Sequence, residues 1–142
     1  MTDAPQSPPK LPPVSGGIVP YLSPANASAT EAAAFYVKAF GAQELYSIPP
    51  DEKGRTMHIH LLINGNSLML SDFYPEHGYA PEKPGAFNLH LQVDDVDTWF
   101  DRAVKAGCEV RLPVQLMFWG DRYGQLKDPY GFSWSIATTP KA

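Results

Sequence analysis

The sequence predicts an α+β protein made of two βαβββ modules, and three observations carry that expectation. Segments with period-two alternation are interleaved with two amphipathic helical stretches. Both helical stretches close on a glycine and run directly into β-rich sequence. Sliding the chain by 66 positions sets Gly41 on Gly107 and "NGNSLML" (64 to 70) on "YGFSWSI" (130 to 136), pairing Gly65 with Gly131, Ser67 with Ser133 and Leu70 with Ile136. At 142 residues, 44% of them hydrophobic, the chain is long enough for one domain around one core.

Residues 1–16 carry Pro5, Pro8, Pro9, Pro12 and Pro13 and almost no large apolar side chain, a composition that cannot offset its ordering entropy by burial. They are expected to form a disordered tail before a single domain at 17–138, with modules at about 17–72 and 86–138 and a short tail at 139–142. The first helix is delimited by Ser28 and Glu31, at capping-box spacing, and by Gly41. The second is "DDVDTWFDRAVKAG", with Asp94 or Asp95 at its start, Lys105 near its end and Gly107 closing it. Strands are expected at about 17–22, 42–48, 56–63, 66–71, 86–93, 108–113, 122–127 and 132–138. Asn64-Gly65 supplies a tight hairpin turn, and "DPYG" (128 to 131) the corresponding turn of the second module.

Alternate side chains of a strand point to opposite faces, so the pattern sorts the strands. Met57, Ile59, Leu61 and Ile63 oppose His58, His60 and Leu62; Leu68 and Leu70 oppose Ser67, Met69 and Ser71. Phe87, Leu89, Leu91 and Val93 oppose Asn88, His90 and Gln92; Phe132, Trp134 and Ile136 oppose Ser133 and Ser135. The apolar rows need cover, which the helices supply through Phe35, Val37, Phe40, Trp99, Ala103 and Val104. The polar rows are either a solvated sheet face or the wall of a concave small-molecule site.

Charge and motifs exclude several function classes. The net charge of -4 and scattered basic residues offer no footprint for nucleic acid or an anionic membrane. No apolar run reaches the roughly 18 residues of a membrane span, and the N-terminus lacks the apolar core of a signal peptide, so a cytoplasmic location is expected. Cys108 reads as a small core hydrophobe, and no internal disulfide is possible with one cysteine. No Ser-His-Asp set, phosphate loop or dinucleotide fingerprint is present.

His58 and His60 stand about 7 Å apart on one strand face, and with His90 they form either a noncanonical divalent-metal site or hydrogen-bonding and general-base groups in a metal-free pocket. His77, in the loop "YPEHGYAPEKPG", reads as a surface residue; Phe73, Tyr74 and Tyr79 of the same region either close over a pocket or pack in a dimer. In "MFWGDRYG", Trp119 either stacks on a flat ligand or plugs the rim of the sheet, and Arg122 either pairs with neighbours of Asp121 or grips an anionic group.

The stretches "FYVKAFGAQEL", "MHIHLLINGNSLMLSD", "VDDVDTWFDRAVKAG" and "FWGDRYGQLKDPYGFSWSIAT" resemble the vicinal oxygen chelate superfamily of glyoxalases, bleomycin-resistance proteins and extradiol dioxygenases, and within it the PhnB-like branch. The resemblance covers about residues 17 to 138. It implies a cup-shaped mixed sheet with the helices on its outer face, a small organic ligand inside the cup, and a homodimer. Metal-dependent members carry four inward His or Glu ligands. Here the matching positions fall on Asn88, Ser135, Met69 and the segment Val19 to Tyr21, so the resemblance implies ligand binding without the standard metal or any other cofactor. The alternative is a metal-dependent lyase, isomerase or dioxygenase built on the inward histidines. The expected pocket residues are His58, His60, Met69, Asn88, His90, Trp119, Arg122 and Ser135.

Overall fold

The computed structural model describes residues 10–141. The first module runs β1 (Tyr21–Leu22), α1 (Ala29–Phe40), β2 (Gln43–Ser47), β3 (Ile59–Ile63) and β4 (Asn66–Leu70). The second runs β5 (Leu89–Gln92), α2 (Val96–Ala106), β6 (Glu109–Leu116), β7 (Arg122–Lys127) and β8 (Ser133–Thr138). Each module closes a four-stranded mixed sheet, in the orders β1-β4-β3-β2 and β5-β8-β7-β6. In both, the first strand returns parallel to the last and the other pairings are antiparallel.

The repeat extends to the helix caps. Ser28 Oγ accepts from the Glu31 N–H and Asp95 Oδ1 from the Thr98 N–H, so Asp95 and not Asp94 is the second cap. Each helix start is also tied to the residue after, or at the end of, its module's last strand: Ala29 N–H donates to Asp72 Oδ1 and Val96 N–H to Thr138 Oγ1, both at 2.8 Å. Asp72 and Thr138 are 66 residues apart. The second hairpin turn is one residue longer than the first. Leu70 and Ile136 are 66 apart, but their antiparallel partners Ile59 and Gly124 are 65 apart. The two-residue turn Asn64-Gly65 has positive φ at both positions (50° and 79°), as a primed hairpin turn requires, whereas the second turn places one left-handed residue, Gly131, at φ 90°.

The apolar faces share one core, in which α1 of the first module packs on the second. Its Phe40 and Tyr36 rings lie 4.4 and 5.5 Å from that of Trp134 on β8. Asp128, 4% exposed, fastens this joint. Its Oδ1 accepts from the N–H groups of Tyr130 and Phe132, and its Oδ2 from the Tyr36 hydroxyl (2.6 Å) and the Trp134 indole (2.9 Å). Burial pushes the carboxyl pKa up, against the pull of these four donors.

Several strands are shorter or longer than the alternation suggests. The first is reduced to two residues, because Pro20 has no N–H to contribute and Ile18 is 91% exposed. The third begins at Ile59 because Thr56 turns away from the ladder, giving its N–H to Asp72 and its hydroxyl proton to the Ile48 carbonyl. The sixth continues past Pro113 to Leu116, since its pairing is irregular between Leu112 and Gln115 and no ladder N–H is needed there. Of the expected tail, residues 1–9 lie outside the described residues; Ser15, near its end, exchanges backbone and side-chain bonds with Ser67. The loop aromatics pack on their own chain: the Tyr79 hydroxyl lies 2.6 Å from Ser23 Oγ, and Arg55 stacks 4.4 Å over Tyr74. His77 is exposed at the end of a single 3-10 turn.

Candidate functional site

The strand registers place equivalent residues of the two modules on the two polar faces. Tyr21, Met69 and His60 form one row of the first sheet, and His90, Ser135 and Gln125 the matching row of the second. One step along, His58 corresponds to Tyr123. The first-strand and third-strand aromatics touch in both modules, with their identities exchanged: Tyr21 against His58 at 5.8 Å and His90 against Tyr123 at 6.1 Å.

In the first module this face is sealed at His60 and Ser67, while Tyr21 is 51% exposed and His58 half-buried. His60 is 2% exposed and Ser67 fully buried. Ser67 Oγ accepts the Ser15 N–H (2.9 Å) and is hydrogen-bonded to His60 Nε2 (2.7 Å). His58 Nδ1 is 2.8 Å from the Tyr21 hydroxyl, and burial, with the neighbouring His60, lowers the His58 pKa. Met69, half-buried, lies between Tyr21 and His60.

The second module's face is open. Asn88, His90 and Gln92 are exposed, and Tyr123 and Gln125 are half-buried. Asn88 Nδ2 donates to Ser135 Oγ (2.6 Å), which lies 2.6 Å from His90 Nδ1; with Gln92 Oε1 accepting at Nε2, the neutral imidazole accepts the Ser135 hydroxyl proton at Nδ1. His90 Nε2–H then donates to Gln92 Oε1 (2.9 Å), and Gln92 Nε2 to Thr139 Oγ1 (2.7 Å). The network runs in one direction, which assigns the His90 tautomer and engages both ring nitrogens. Asn88, Tyr123, Gln125 and Ser133 floor a cavity of about 590 Å³, with Arg111 at its edge. Trp119, 49% exposed in the β6-β7 turn, meets the Tyr123 ring edge-on at 5.3 Å. A smaller cavity of about 380 Å³ runs along the seam between the sheets, from Ser67 to Asn88, His90 and Gln92.

The expected pocket residues therefore divide. Asn88, His90, Ser135 and Trp119 lie together on the second module's face, and His58, His60 and Met69 on the first module's. Arg122 joins neither: it alternates with Tyr123 to the opposite side of β7, where a bidentate pair with Asp97 of α2 (2.8 and 3.2 Å) occupies its guanidinium. Tyr123, Gln125 and Arg111 were not anticipated as pocket residues. The alternation in "RYGQLK" marks the first two, but a lone arginine in a strand carries no sequence signal. Among the described residues no group of three or more His, Cys, Asp or Glu side chains is arranged to hold a metal.

Paired βαβββ modules, each with its first strand returned beside its last and a polar inner face, define a class of fold in which ligands are held against the sheet. Residues 24–136 match the family model of the glyoxalase/bleomycin resistance protein/dioxygenase superfamily, and the chain belongs to that family. It is 41% identical over 128 residues to an uncharacterized protein of Mycobacterium tuberculosis (strain ATCC 25618 / H37Rv), covering 84% of this chain and 74% of that protein. Among solved structures it is similar to protein PA1353 from Pseudomonas aeruginosa (28% identity, TM-score 0.71, 89% of this chain and 100% of the other). It also shares the fold of the PhnB protein from Bacillus cereus (22% identity, TM-score 0.68, 87% and 99%).

Proposed function

We propose that this chain is a PhnB-like member of the superfamily that binds a small organic molecule on the open polar face of its second module, without the superfamily's standard metal. The observation that carries the reading is the contrast between an open floor of Asn88, Tyr123 and Gln125 and the donor chemistry around it. Met69 and Ser135 occupy two of the four expected ligand positions, and register places Tyr21 opposite Met69 as the first-strand partner. A thioether, an alcohol and a phenol are poor ligands for the divalent ions this superfamily uses. His90 and His60 spend ring nitrogens on Ser135, Gln92 and Ser67. These donors do not fit a metal.

The protein acts as a homodimer in this reading, supported by Leu116 and Phe118, 67% and 96% exposed near and in the β6-β7 turn. A cytoplasmic setting is supported by Cys108, a buried free thiol whose pKa burial pushes up to about 12. No helix of the described residues is long and apolar enough to cross a membrane.

A thermal-shift screen of small organic molecules tests the proposal, since a ligand at about 100 times its Kd stabilises the folded state by about 2.7 kcal/mol. Hits are expected to raise Tm in the native chain and to lose that effect in Tyr123→Ala. Stoichiometric metal in the purified protein that disappears in His60→Ala would overturn the metal-free reading.

A further inference from the structure

We infer that the ligand of the second module carries an anionic group, a carboxylate or a phosphoryl group, held by Arg111 and Lys127 with Lys83 nearby. The inference rests on the proposed small-molecule site and adds its chemical class. Three adjoining cavities form one groove. The floor cavity shares Arg111 with a larger one of about 640 Å³ that is also lined by Lys83 and Lys127. A third of about 180 Å³, lined by Phe87, Lys127 and Ser133, lies between them.

The chain is acidic overall, at net -4, and its other arginines are engaged elsewhere: Arg55 with Asp51 and Glu76, Arg122 with Asp97, and Arg102 with the Trp99 ring and the Ala39 carbonyl. Neither Lys83 nor Lys127 is among the ion pairs of the described residues, and Arg111 reaches only Glu109, at 3.9 Å. Asp128 borders the larger cavity, but its two oxygens are taken by Tyr36, Trp134 and two backbone N–H groups. The groove thus sets three cations, Lys83, Arg111 and Lys127, against one exposed carboxylate, Glu109, which faces Lys127 across the strands and lies 3.9 Å from Arg111, and against the fully bonded Asp128.

Backbone geometry aims these side chains. The β6-β7 register passes from Val110↔Leu126 to Leu112↔Gln125, so Arg111 is the extra residue of a β-bulge. Bulges redirect side chains at sheet edges and beside binding sites. Lys127 needs no such device: it alternates onto the face of Tyr123 and Gln125, next to Ser133 in register. A planar guanidinium on a bulge and an ammonium on the neighbouring strand suit the two oxygens of a carboxylate or the three of a phosphoryl group. Asn88, Gln125 and the exposed ring of Phe87 are left for the organic body.

Isothermal titration with phenyl phosphate, benzoate, inorganic phosphate and neutral benzamide tests the inference in the native chain and in Arg111→Gln, Lys127→Gln and the distant control Lys53→Gln. The anions are expected to bind saturably, about tenfold weaker in Arg111→Gln and Lys127→Gln and unchanged in Lys53→Gln. Added salt should weaken them further. Phenyl phosphate binding more tightly than inorganic phosphate supports the groove and its organic end together. Equal binding of benzamide and benzoate, or equal losses in all three variants, overturns the anionic assignment while leaving a neutral-ligand site intact. No binding by any anion at about 10 mM, well above a millimolar Kd, also overturns it.

Discussion

The two modules share a backbone plan and differ in which polar positions of the inner face are covered, His60 in the first and Ser135 in the second. In the first, Ser15 bonds Ser67, Ser67 bonds the buried His60, and these positions are spent on internal hydrogen bonds. In the second, the equivalent of His60 is Gln125, half-exposed above a cavity, and the equivalent of Met69 is Ser135, part of a five-residue polar relay. The contrast shows that a repeat fixes where side chains point, while the residues at those points, and what covers them, decide whether a face is structure or site.

The largest expected effect comes from breaking what holds the modules together. Asp128→Asn keeps the shape but sets an amide N–H₂ against the Tyr36 hydroxyl or the Trp134 indole. It should cost about 3 to 5 kcal/mol in urea unfolding, the usual consequence of disrupting a buried charged hydrogen-bond centre. A loss under about 1 kcal/mol would mean that the joint rests on ring packing alone.

The next variants separate the two faces directly. His60→Ala removes a buried side chain and the Ser67 bond, and should lose about 2 to 3 kcal/mol of stability with ligand affinity in the second module unchanged. Tyr123→Ala should do the reverse, weakening binding about tenfold with a stability loss near 1 kcal/mol. If His60→Ala abolished binding as fully as Tyr123→Ala, the first module's face would have to be counted as part of the site.

The smallest effect is a pH dependence confined to the first module. The His58 pKa is lowered by burial and by His60, so the unfolded chain takes up its proton at higher pH than the folded one. Stability from this source is present above about pH 6.5 and falls as the pH drops below it. His58→Gln should flatten the slope of unfolding free energy between about pH 7 and pH 5. An unchanged slope would assign the dependence to other groups.

Most of the fold was legible from the residues. The 66-residue repeat, both glycine stops and the Asn-Gly turn each act through local backbone preference, and local preference is what a sequence carries openly. The site was legible in part. Alternation put Asn88, His90 and Ser135 on an inner face, but it could not show that Ser15 would bond Ser67, the partner of His60, a contact spanning 52 residues. Nor could it place Arg122, whose partner Asp97 lies 25 residues earlier on another element. Arg111 depends on a one-residue change of register, a property of two strands together that neither strand displays by itself.

The Asp128 joint has a consequence for how such a chain is divided. Its donors come from α1 of the first module and β8 of the second, and the Phe40 and Trp134 rings meet beside it. Cutting the chain in the loop at about 80 to 84 would therefore yield two halves, each exposing an apolar surface shaped for the other. Such halves are candidates for fragment complementation: mixed, they should reassemble around the Asp128 carboxylate. The same reasoning describes an ancestral single module as a protein that folded only as a pair.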